Sequence, residues 1–231
     1  MPDDVSALDL VLTGDPALFA IVRLALIVSL SAAFVAAAIG IPLGAWIALS
    51  SFRGRDAVIV LLNAMMGLPP VVVGLVVYLA LSRSGPLGSW GILFTPQAMV
   101  IAQTILVTPI IAALSRQTIE DLWLEYRDEL TALEVGPLRR VATLVWDARF
   151  SLITALLAGF GRAAAEVGAV IIVGGNIEGF TRTMTTAIAL ETSKGDLPLA
   201  VGLGIVLIAI VVAINALAWG ARRAGERYAG G

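Results

Sequence analysis

Five apolar runs, each long enough to cross a bilayer, constrain this chain more than any single residue does. They fall at about 17–49, 57–82, 97–115, 150–174 and 198–220. A hydrocarbon core takes roughly 20 helical residues to cross. Lipid offers no partner to an open backbone N–H or C=O, so such runs must fold as helices. Composition agrees: 59% of the 231 residues are apolar and only 14% are charged, against about 25% charged in a soluble domain. The expectation is an all-α integral membrane protein, with one transmembrane domain over residues 1–231 and five spanning helices.

Punctuation within the runs refines this. The first run is over-long, and Gly40-Ile-Pro42-Leu-Gly44 predicts a tilt or a kink near one interface. The second contains Gly67-Leu-Pro69-Pro70, which must interrupt helical hydrogen bonding. Segment 176–196 is less apolar, and Thr181 to Leu190 predicts a short helix that enters the membrane only partly. The first run follows Asp3, Asp4, Asp9 and Asp15. A secretory signal would open with positive charge, so this run reads as a retained span.

Arginine asymmetry orients the chain. One side carries Arg53 and Arg55, the 116–149 loop (Arg116, Arg127, Arg139, Arg140, Arg149) and the tail (Arg222, Arg223, Arg227). The other carries the acidic N-terminus, Arg83, Arg182 and Lys194. The arginine-rich side is expected in the cytoplasm, with the N-terminus outside and the C-terminus inside. Trp90 and Trp219 fall at expected interfaces as anchors.

Several chemistries are excluded. The chain has no cysteine and no histidine, hence no disulfide, thiol nucleophile, histidine metal site or histidine triad. An intramembrane enzyme needs a nucleophile with a base, or paired aspartates, whereas the clear acid within a span is Glu166, beside an arginine. No internal repeat supports a secondary transporter. Asn63, Gln103 and Asn215 read as inter-helix hydrogen-bonding groups. The small residues Ala32-Ala33, Ala36 to Ala38, Gly159, Gly161 and Ala163 to Ala165 suit close helix packing.

Two features carry function. An ionisable group in the hydrocarbon core costs at least ~2.5 kcal/mol, yet the fourth run keeps Arg162 and Glu166, four apart on one helix face. They read either as a neutralised pair locking this span to its neighbours or as positive potential beside an anion path. The second feature is the 116–149 loop. Leu130, Leu133, Leu138, Val141 and Val145 can form one apolar side, with Glu129, Glu134, Arg139 and Arg140 polar and Gly136-Pro137 separating two helices. Such an elbow either lies on the bilayer or docks in a groove of a soluble partner. Beyond the fourth run, Thr181, Arg182, Thr183, Thr185 and Thr186 gather hydroxyls around one guanidinium. A tetrahedral dianion offers only acceptors, so a path for it presents such donors, with Asn176 beside them. The same threonines also fit a helix cap in a polar outer loop.

The loop resembles the coupling loop of permease subunits of ATP-binding-cassette importers. That pattern runs Glu-Ala-Ala, three residues, Gly, then about nine residues to Ile-x-Leu-Pro. Ala132 and Gly136 match; Leu130 and Thr131 replace the glutamate and first alanine, and Ala148-Arg149 replaces Leu-Pro. Gly161-Arg-Ala-Ala-Ala-Glu-Val-Gly-Ala, Val173-Gly-Gly-Asn-Ile177 and Thr181-Arg-Thr-Met-Thr-Thr resemble the sulfate, molybdate and tungstate importers. Gly174-Gly-Asn-Ile with Met184 to Gly195, and Trp146-Asp-Ala-Arg149, look most like the tungstate branch. Leu68-Pro-Pro-Val-Val-Val-Gly74 and Ser84-Gly-Pro-Leu-Gly88 are similar to molybdate and tungstate permeases.

The resemblance covers roughly residues 20–220 and implies a type I importer permease fold with a cytoplasmic coupling helix around Ala132, Gly136, Pro137, Arg139 and Arg140. It implies a second permease copy, two cytoplasmic ATPase subunits that bind ATP and magnesium, and an extracytoplasmic tungstate-binding protein. No cofactor in this chain, no nucleic acid and no catalysis of its own are implied. The chain lacks a Gly-x-x-x-x-Gly-Lys-Ser/Thr loop. Molybdate or sulfate import, and a stand-alone anion carrier, are the alternatives.

Overall fold

A computed structural model describes residues 16–229, all helix and connection without a strand among them. The elements are α1 (Pro16–Leu49), α2 (Arg55–Met66), α3 (Pro70–Leu81), a 3-10 turn at Gly88–Trp90, α4 (Pro96–Ala132), α5 (Pro137–Asp147), α6 (Arg149–Ala164), α7 (Gly168–Gly174), α8 (Met184–Lys194) and α9 (Leu197–Ala229). The acidic N-terminal residues Asp3, Asp4, Asp9 and Asp15 lie outside the described residues, as do the side chains of Arg222 and Arg227. Three helices are long and apolar enough to cross a membrane: Leu18–Leu49, Pro96–Ala132 and Leu197–Gly220. Two bent pairs, α2 with α3 at 97° and α5 with α6 at 72°, bring the number to at most five.

The bends have local causes. Gly67 ends α2 by donating to the Ala64 carbonyl, and Pro70 opens α3, where its missing N–H costs nothing. Behind α3, the Ser84–Gly88 segment folds back over the helix end, with Leu87 N–H on the Ala80 carbonyl at 2.9 Å. A Cβ at Gly85 would strike the Leu79 carbonyl oxygen and one at Gly88 the Ser82 carbonyl oxygen, so both positions need glycine.

One expectation needs correcting, and two gain detail. The run expected to span 150–174 is two helices, α6 and α7, with a break at residues 165–167, and α6 bends against α5 instead. Apolarity marked one segment, but a buried glutamate recruits the backbone there, as described below. Beyond the third apolar run, expected to span 97–115, α4 continues as helix to Ala132. Polarity changes at Arg116, yet no Gly or Pro stands between Pro109 and Gly136 to stop the helix. At 37 residues, α4 is about 55 Å long. Gly40 and Gly44, where a tilt or a kink was expected, lie within the continuous helix α1 and also form a packing seam. A Cβ at Gly44 would lie 2.5 Å from the Ala112 carbonyl oxygen and 2.8 Å from Arg116 N, and one at Gly40 3.1 Å from Ala112 N. This is the small-xxx-small device that lets two helix backbones touch.

The chain divides into two compact units. Of the described residues, 16–32, 69–103 and 161–216 form the first. There Leu18, Ala187 and Leu203 are buried together, joining the start of α1 to α8 and α9, and α3 packs along α7 with Gly74 against Ala169 Cα. Residues 33–68, 104–160 and 217–229 form the second. Its core joins Ala45 and Ala48 of α1, Ile119 of α4, Leu144 of α5 and Leu152 of α6. Beside it, Gly159 presses on Val107 and Ile111. In the same unit Glu120 accepts from Arg55 at 2.6 Å and from Arg116, while Arg55 Nε caps the Ile47 carbonyl at 2.9 Å. The i,i+4 spacing of Arg116 and Glu120 is visible in the sequence; the contribution of Arg55, 65 residues from Glu120, is not.

Candidate functional site

In the first unit the break after α6 is organised by one carboxylate. Glu166 is 3% exposed. Its Oε2 accepts from Arg162 Nη1 at 2.5 Å, and its Oε1 accepts from Ala169 N–H at 3.1 Å, capping the first turn of α7. A carboxylate fits this place because the leading N–H groups of a helix lack partners and carry positive partial charge. The Glu166 carbonyl accepts from Thr185 Oγ1 at 2.8 Å, which ties α8 to the same point. One turn earlier, Gln103 Nε2 of α4 donates to the Ala163 carbonyl at 3.0 Å. Arg162 and Glu166 therefore do pair, joining α6 to α7, while the backbone carbonyls of Glu166 and Ala163 tie in α8 and α4. Of the in-span amides, Gln103 reaches another helix as expected, whereas Asn215 bonds back to Val211 of its own helix.

The threonine cluster lies in the same unit. Thr181, fully buried, donates to the Gly174 carbonyl at 2.6 Å and accepts from Ile177 N–H at 2.9 Å. It closes the turn after α7, where Gly175 and Asn176 take left-handed conformations at φ 72° and 49°. Asparagine is among the few side chains that tolerate this region. Thr186 Oγ1 accepts from Thr183 N–H at 2.9 Å and caps α8. The structure thus brings Thr181, Thr183, Thr185 and Thr186 together and binds their hydroxyls to backbone and to one another. Asn176 and Arg182 differ. Asn176 Nδ2 makes a long contact of 3.4 Å to the Thr186 carbonyl, and its Oδ1 is buried without a partner. Arg182 Nη1 lies 3.5 Å from Glu178 Oε2, and its Nε is also buried and unpartnered. The sequence marked the cluster; it gave no sign that an acceptor, Asn176 Oδ1, and a donor, Arg182 Nε, are its buried atoms without partners.

The elbow lies in the second unit. After Ala132, Glu134 turns left-handed at φ 50° and the Val135 N–H returns to the Leu130 carbonyl, closing α4. Gly136 precedes Pro137, which opens α5. Arg140 Nε donates to the Val135 carbonyl at 2.6 Å and its guanidinium lies 5.5 Å from the Trp123 ring centre. Arg139 is exposed. Leu130, Val141 and Val145 pack onto the core as expected, but Leu133 and Leu138 do not: they are 74% and 85% exposed. The Trp146–Arg149 joint holds by stacking, with the Arg149 guanidinium 4.8 Å from the Trp146 ring centre and 4.6 Å from that of Phe150.

Gln103, Glu166, Thr181 and Thr185 are buried polar side chains that hold a helix break together inside an apolar fold, as suits a helical membrane protein. Comparison with known proteins agrees. Residues 40–226 match the binding-protein-dependent transport system inner membrane component family, and the chain belongs to it. It is a permease subunit of an ATP-binding-cassette transporter and not an enzyme itself. The chain is 43% identical over 205 residues to the probable anion ABC transporter permease of Haloferax volcanii, covering 87% of this chain and 88% of the relative. It is 41% identical over 212 residues to the tungstate uptake system permease TupB of Peptoclostridium acidaminophilum, covering 92% and 93%. To the TupB of Campylobacter jejuni it is 39% identical over 164 residues, covering 71% and 69%.

Proposed function

We propose that this chain is the membrane subunit of an ATP-driven importer that carries tungstate across the cytoplasmic membrane. The observation that carries this reading is its 41% identity over 92% of its length to a tungstate uptake permease. Two copies form the path, two cytoplasmic ATPases drive it, and an extracytoplasmic binding protein delivers the anion. Five spans put the N-terminus outside and the arginine-rich loops inside, and residues 116–149 form the coupling loop. Exposed Leu133 and Leu138 on either side of Gly136 support it: apolar side chains left unpacked at the tip suit a partner's groove.

Arg182 contacts the passing anion through its guanidinium and Asn176 through Nδ2, which is held only by the long contact to the Thr186 carbonyl, while Thr181, Thr183, Thr185 and Thr186 hold the loop that presents them. Contact is weak, since a path that binds tightly cannot release. The Arg162–Glu166 pair fixes the helix break beside this loop. The test is uptake by membrane vesicles holding the chain, its ATPase and its binding protein. ATP-dependent tungstate accumulation that molybdate competes with poorly is the expected result. Equal uptake of molybdate reassigns the substrate to oxyanions generally, and uptake without ATP rejects the reading.

A further inference from the structure

A cavity of about 350 Å³ in the first unit holds two arginines. Ala20, Arg23, Leu24 and Ile27 supply one wall, at the spacing of a single face of α1. Glu178, Phe180 and Arg182 supply the other. The opposite face of α1, through Leu18 and Val22, packs on α8 and α9. Arg23 is exposed and has no carboxylate partner among the described residues. Arg182 is 17% exposed on its side chain, with Nε buried and unsatisfied. A buried donor left open costs about 1–3 kcal/mol, so a feature of this kind calls for an acceptor. Its one ion pair, to Glu178, is 3.5 Å long and made with a carboxylate that is 84% exposed. A strong charge-assisted bond is shorter, at about 2.7–2.9 Å, and the water-facing carboxylate is easily displaced.

We infer that this cavity is a tetrahedral-oxyanion site, in which Arg23 and Arg182 supply the charge and Glu178 holds Arg182 until the anion arrives. Two guanidiniums against one carboxylate leave a net positive charge that matches a dianion better than a monoanion. Leu24, Ile27 and Phe180 add apolar surface to the cavity, with Ile27 and Phe180 each 51% exposed. At about 30 Å³ per water, a volume of 350 Å³ admits a small oxyanion with part of its hydration shell, which keeps the contact weak. The anion comes from one of two sources, a free oxyanion or the phosphate of a lipid headgroup. The inference rests on the import reading for the first source only.

The test titrates tungstate, molybdate and sulfate by calorimetry into the purified permease–ATPase complex, without binding protein, in a sugar-headgroup detergent that carries no phosphate. Native mass spectrometry of the same sample reads retained phospholipid. Arg23→Gln is expected to weaken oxyanion binding at least tenfold without changing the melting temperature. Glu178→Gln is expected to tighten it several-fold, a gain that misfolding cannot imitate. Retained anionic phospholipid that Arg23→Gln loses and tungstate does not displace assigns the site to a headgroup. The inference fails if both variants bind oxyanion as the wild type does and Arg23→Gln keeps its lipid. It also fails if the wild type holds neither anion nor lipid. ATP-driven tungstate uptake alongside either failure leaves the import reading standing. Vesicles without uptake reject that reading while the titration still scores the cavity.

Discussion

Glu166 is the side chain on which most depends, because its two oxygens serve different masters. One neutralises Arg162 and the other caps α7. Removing Arg162 leaves a buried carboxylate without its cation, and breaking a buried pair in this way costs about 3–5 kcal/mol. Arg162→Ala should therefore lower the melting temperature of the purified complex sharply. Adding Glu166→Gln to it should restore most of the loss, since a neutral amide still accepts from Ala169 N–H and no charge is stranded. A double variant that melts below the single one rejects the pairing. Glu166→Gln alone should be the milder lesion, because the side chain of Arg162 is 31% exposed and can be solvated.

Among the helices, the seam of α1 on α4 gives a graded test. Gly44→Ala should destabilise by about 1–3 kcal/mol, the cost of overpacking, and Gly40→Ala by less. Gly161→Ala should be neutral, since nothing stands within 4 Å of a Cβ there. Equal melting temperatures for all three variants would mean the seam does not form. The elbow offers the converse case. A Cβ at Gly136 meets open space and its φ of −65° suits any residue. A bulky replacement at Gly136 should leave the permease folded and inserted, yet reduce ATPase co-purification and uptake. Unchanged co-purification with normal uptake counts against the coupling assignment. These contrasts mark what could be read from the chain alone. Proline and glycine announced the bends after Gly67 and before Pro137, because they act through their own backbone. Apolar periodicity found the helices but not the break at residues 165–167, because a carboxylate capping a following helix leaves no mark on hydropathy. The Gly40–Gly44 seam was not legible because a pair of glycines on one helix face suits a kink and a contact alike until the partner helix is known.

For the molecule in its bilayer, the prediction concerns sidedness. The chain has no cysteine, so single cysteines introduced at exposed Ser193 and Leu138 report orientation without a background. Ser193→Cys should react with an impermeant maleimide in intact cells, and Leu138→Cys only after the membrane is opened. The reverse pattern overturns the arginine argument. The Arg55–Glu120 bridge then acquires a second meaning, in time rather than in space. Synthesis proceeds at about 5–20 residues per second, so Glu120, 65 residues downstream, follows Arg55 by roughly three to thirteen seconds. Under the proposed orientation, the guanidinium stands without Glu120 during that interval and adds, with Arg53, to the positive charge that keeps this loop on the cytoplasmic side. Once Glu120 is made, the same charge is withdrawn from that task and becomes a strut. Under that orientation Arg55 serves insertion first, as one of the arginines that direct it, and the finished fold afterwards, as the partner of Glu120.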